Sequence, residues 1–97
     1  MSLPRIYADF NGLDRSPRRP ERFVVALNTQ GSLEALARAG LELCDGLRLT
    51  IWDGSDEAED LEADVTVYYD AERQVWLGEM GEKGYRYVPA VDRSPNA

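Results

Sequence analysis

The sequence contains no histidine. That absence removes Ser-His-Asp and Cys-His catalysis, His-ligated zinc, and the side chain most often used as acid or base near neutral pH. One cysteine, Cys44, excludes an internal disulfide and a thiolate zinc cluster. It agrees with a reducing compartment. No apolar run approaches the roughly 18 residues of a membrane span. The N-terminus lacks the charged, apolar and small-residue zones of a signal peptide. The expectation is a cytoplasmic protein without membrane contact. With 97 residues the chain fits one domain, which buries roughly 60–65% of its unfolded surface. Such a core leaves little room for an enclosed substrate cavity. The reading is therefore non-enzymatic, with no catalytic residues, no metal ligands and no cofactor.

What is present is acid, unevenly spread. The net charge is -7. "WDGSDEAEDLEAD" carries Asp53, Asp56, Glu57, Glu59, Asp60, Glu62 and Asp64, seven acids with no Lys or Arg among them. The rest of the chain is near neutral. Nucleic acid is not an expected partner, because counterion release needs clustered bases.

Periodicity describes a mainly β chain. Strands are predicted over 5–11, 22–28, 47–53, 63–70, 74–80 and 85–89, with 22–28, apolar on both faces, as an interior strand. Pro17 and Pro20 mark 12–22 as a loop. Between the second and third strands, Leu33, Leu36 and Ala37 recur at helical spacing. Ser32 is the expected N-cap and Gly40 the expected stop of a helix over 33–39. Asp45-Gly46 reads as a turn. Five to six short strands with one short helix close best into a small barrel, SH3-like or alternatively OB-like. The domain spans 1–89, with 90–97 as a flexible tail.

The acidic stretch admits three readings. A calcium frame starting at Asp53 would need Gly where Ala58 stands and Glu where Asp64 stands, so the EF-hand pattern fails. A looser divalent-cation or carboxylate-dependent module using Asp53, Asp56 and Asp64 is an alternative. A plain solvated connection that keeps the protein soluble is another. The third is a docking surface for a basic protein. If odd positions of the central strands face the core, Trp52, Tyr68 and Trp76 gather on the opposite face beside the acidic loop. That grouping names Trp52, Asp56, Glu57, Glu59, Asp60, Tyr68 and Trp76 as partner-binding candidates. The competing role for the tryptophans is to cover a barrel end.

Three smaller features complete the reading. Arg15, Arg18, Arg19 and Arg22 sit in one loop. They could grip phosphates or carboxylates, sit beside the acidic loop of the same chain or of a second copy in a homodimer, or simply be solvated, which is the preferred reading. Cys44 reads as a half-buried filler. Asp9 and Asn11 read as Asx-type caps of a turn.

Three segments, "RIYADFNGLD", "GSLEALARAGLELCDGLRLTIWDG" and "VTVYYDAERQVWLGEM", together resemble a set of short bacterial proteins without assigned function. These share an opening Y-x-D-F-N, a central G-x-L…G-L-x-L-x-x-G-L-x-L ending in acids, and a closing Y-D…W. The resemblance covers about residues 5–80. Its motifs are mostly glycines and apolar residues, and it implies no catalytic residue. It also implies an apolar strand or turn after Met80, where "GEKGYRYVP" fits only in part.

Overall fold

The computed structural model describes residues 3–54 and 58–90. The elements run β1 (Arg5–Tyr7), a 3-10 turn (Phe10–Gly12), β2 (Asp14–Arg15), β3 (Phe23–Ala26), α1 (Gln30–Ala39), β4 (Arg48–Gly54), β5 (Glu59–Asp70), β6 (Val75–Met80) and β7 (Arg86–Pro89). The fold is mainly β with one helix and an open sheet of seven strands, in the order β1-β4-β5-β6-β3-β2 with β7 paired to β5. An SH3-like or OB-like barrel is not confirmed. β1 and β2 end the sheet on opposite sides, and the strand order does not return on itself. β1 adds to β4 in parallel, Ile6 opposite Ile51, while β4, β5, β6 and β3 pair antiparallel in succession.

Residues opposite each other in register share a face of the sheet. Leu49 and Ile51 of β4, Ala63, Val65 and Val67 of β5, and Val25 of β3 form the inner face. Ile6, Ala8, Phe10, Leu27, Leu36 and Met80 complete this core, and Leu41, Leu43 and Leu47 pack against it. The outer face carries a smaller cluster, Val24, Tyr68 and Leu77.

The helix begins three residues earlier than the spacing predicts. Thr29, not Ser32, is its N-cap and accepts from the Ser32 amide. Ser32 instead is buried, and its hydroxyl donates to the Tyr7 carbonyl at 2.8 Å, tying α1 to β1. Gly31 lies against the same strand. A Cβ there would sit 2.8 Å from the Tyr7 ring. Gly40 closes the helix in the left-handed conformation at φ 69°, as expected. Asp9 caps the 3-10 turn by accepting from the Asn11 amide at 2.9 Å, also as expected. Cys44 differs from its reading as a half-buried filler. It is exposed, in the irregular connection before β4. Residues 91–97, most of the expected tail, lie outside the described residues.

The largest local correction concerns the acidic stretch. It is mostly strand: β4 runs through Asp53 and β5 starts at Glu59, four residues before the expected 63. Leu61 and Ala63 continue the inner-face alternation of Val65 and Val67, so Asp60, Glu62 and Asp64 fall together on the outer face.

Candidate functional site

Two arginines, distant in sequence, receive the outer-face acids. Arg5 on β1 reaches Asp60 at 3.2 Å and Glu62 at 3.0 Å. Arg86 on β7 reaches Glu62 at 2.7 Å and Asp64 at 3.2 Å. Thr50 donates its hydroxyl to Asp64 at 2.8 Å. The Thr50 hydrogen bond holds the Asp64 carboxyl below the ordinary carboxylate range against an opposing push from partial burial, and Arg86 and Arg48 add to the lowering. Asp60 is fully buried. The stretch that reads as a bare negative field is therefore in large part an internal ion ladder. Among the described residues, no three acids converge as a cation site requires.

The aromatic candidates do not form one patch. Trp52 lies opposite Glu62, half-buried, with its ring edge-on to Tyr7 at 5.5 Å and Arg5 stacked over it at 4.7 Å. Tyr68 shares the outer face but stands six residues further along β5, about 20 Å away at the usual strand rise. It is only 7% exposed and is capped by Arg18 at 3.8 Å from its ring. Trp76 is opposite Tyr69, so it faces inward against the main core. Its assignment to the outer face rested on Val75 and Leu77 facing the core. The turn at 71–74 sets the opposite phase by placing Val75 opposite Asp70. Glu59 opens β5, opposite Pro89. Asp56 and Glu57 lie outside the described residues.

The exposed aromatics are instead Tyr69 on β5 and two tyrosines on β7 and just before it. Tyr87 is opposite Leu61 and 58% exposed; Tyr85 is 40% exposed. Tyr85 contacts Tyr87, Phe10 and Phe23 with ring centres 6.3–6.4 Å apart. The segment "YRYVP" shows this alternation in sequence, with Tyr85 and Tyr87 on one face and Arg86 and Val88 on the other. No motif in this short strand marks it as a site.

The second unforeseen feature lies between β6 and β7. Both run antiparallel to β5, along the same side of it. Met80 pairs with Val65 and Arg86 with Glu62. The five residues from Gly81 to Tyr85 thus stand opposite only Ala63 and Asp64, a bulge much larger than one residue. Beside it opens a cleft of about 410 Å³, lined by Arg19, Arg22, Arg48, Lys83 and Arg86 together with Asp64, Glu79 and Glu82.

A buried polar knot holds the arginine loop over this cleft. The Ser16 hydroxyl donates to Glu79 at 2.6 Å and accepts from the Arg18 and Arg19 amides at 3.2 and 3.1 Å. The Tyr68 hydroxyl lies 3.1 Å from it. Ser16 N–H donates to the Arg22 carbonyl at 2.9 Å, and Arg22 N–H to the Arg19 carbonyl at 2.8 Å. The expected solvated loop is thus internally braced, and it includes the short strand β2. No family model, curated protein or solved structure matches the chain.

Proposed function

We propose that this chain is a small non-enzymatic domain that binds a protein partner through the acidic end of the β4–β5 hairpin and the aromatics beside it. The observation that carries the reading is Tyr87. It is a large, mostly exposed aromatic side chain, and its strand is paired to the acidic half of β5. Aromatic anchors next to charged residues suit protein recognition. The described part of the partner surface is Glu59 with Tyr87 and Tyr85; Asp56 and Glu57 join the proposal by their place in the sequence alone. Trp52 and Asp60 support it from beneath, because Arg5 covers the one and pairs with the other. Tyr68 and Trp76 serve packing. A basic partner fits the net charge of -7. The single cysteine supports residence in the cytoplasm. Kinship with the short bacterial proteins of the Y-x-D-F-N pattern is part of the proposal and assigns no residue a role.

The test is affinity capture from a lysate by three proteins: the natural chain, Tyr87→Ser, and a triple Asp56→Ser, Glu57→Ser, Glu59→Ser variant. A partner held by the natural chain, released by rising salt and lost with both variants is the expected result. Equal recovery on all three would remove this surface from consideration.

A further inference from the structure

The cleft beside the Gly81–Tyr85 excursion is where the chain's charge pattern inverts. Five bases face three acids in a molecule whose net charge is -7. Two of the acids are already engaged, Asp64 by Thr50 and Arg86, and Glu79 by Ser16 and by Arg18 at 3.8 Å. The bases are not. Among the described residues Arg19, Arg22, Arg48 and Lys83 make no ion pair, whereas Arg5, Arg18, Arg73 and Arg86 each make at least one. Placing four unpaired cations around one concavity is electrostatically unfavourable when the cleft is empty. The cost is offset when a multiply charged anion enters. The backbone beneath the site is held in advance: backbone bonds brace the Ser16–Arg22 loop that carries Arg19 and Arg22, Arg48 is borne by strand β4, and Lys83 lies on the excursion.

We propose that this cleft binds a phosphate group carried by a small molecule. Guanidinium forks pair bidentately with tetrahedral oxyanions, and a dianion matches the local surplus of two positive charges. About 410 Å³ exceeds what a bare phosphate fills and falls within the range of small-molecule sites. A nucleic-acid strand does not suit the surroundings. It would run from the cleft over the Asp60–Glu62–Asp64 ladder, where its phosphates meet carboxylates.

The experiment is titration of the full chain with inorganic phosphate, phenyl phosphate and phenol at constant ionic strength. It is followed by calorimetry and by amide chemical shifts. Saturable binding of both phosphates at millimolar concentration or below is expected, with shifts confined to residues 19–22, 48 and 81–86 and none with phenol. Tighter binding of phenyl phosphate assigns a phosphate ester as the ligand, and equal binding assigns the free ion. The double variant Arg22→Gln, Arg48→Gln should weaken binding tenfold or more while keeping the natural melting temperature. Arg38→Gln, on the exposed face of α1, should bind as the natural chain does. No saturable binding, or equal loss in Arg38→Gln and the cleft variant, would overturn the proposal.

Discussion

β5 is one strand with two unlike halves. Over its first half, Glu59 to Asp64, the outer face is built from carboxylates held by Arg5, Arg86 and Thr50. Over its second half, Val65 to Asp70, the outer face turns to Thr66 and Tyr68 and ends at Asp70, paired with Arg73. There the loop carrying Ser16 and Arg18 covers Tyr68, Leu77 and Val24. The inner face is apolar along most of both halves. The difference shows two ways of finishing the second face of a sheet in a chain too short for a second helical layer. One way lines it with charges and pairs them; the other covers it with a loop held by a polar knot.

The sharpest way to break this contrast is at the knot. Ser16→Ala removes the short hydrogen bond to buried Glu79 and leaves Arg18 at 3.8 Å as its remaining ion-pair partner. A loss of about 2–3 kcal/mol in unfolding free energy is expected, because a buried charged acceptor loses its donor. Urea denaturation measures it, and a change under about 0.5 kcal/mol would show that the loop does not depend on Ser16. Arg86→Gln acts on the other half and should cost less than about 1 kcal/mol, since the pairs of this half-exposed arginine are screened by water. Its signature is in salt: the natural chain and the variant should converge in stability as ionic strength rises. A gap that persists in high salt would make the ladder a packing feature instead.

The smallest expected effect concerns acid. Asp64 titrates lower in the folded chain than its ordinary value, so the folded state binds its proton less readily than the unfolded one. Its contribution is complete above the ordinary carboxylate pKa of about 3.9 and is lost as pH falls from there through the lowered value. Thr50→Val removes the largest cause and should make the acid limb of stability shallower in that window. Carboxyl resonances followed by NMR should show Asp64 titrating closer to its ordinary value in the variant. An unmoved Asp64 would assign the lowering to Arg86 and Arg48 alone.

Much of the fold was legible in the sequence because period-two alternation survives substitution. Leu49 and Ile51 mark β4 to within one residue at each end, and Val65 and Val67 mark β5 with its correct last residue. The same rule applied to Leu61 and Ala63 would have extended β5 to its true start. Seven acids in a row of twelve residues outweighed a pattern that was intact beneath them. Trp76 was misplaced for a different reason. The phase of β6 depends on whether the turn after Asp70 holds an odd or an even number of residues, and residue chemistry alone leaves that open. The arginine partners of Glu62 lie 57 and 24 positions away. The cleft requires that the Gly81–Gly84 turn be an excursion between collinear strands and not a hairpin. Neither fact has a local signature.

That excursion has a consequence for how the sheet opens. β6 is clamped between β3 and β5, but β7 is paired to β5 alone, over four residues, beyond the five-residue excursion. β7 is therefore free to fray without disturbing the strand before it. When it frays, Arg86 leaves the ladder, Tyr87 leaves the surface beside the acids, and the phosphate cleft loses a wall. The amides of β7 should exchange with solvent deuterium well before those of β6. A ligand in the cleft would slow that exchange, linking two surfaces that share no atom.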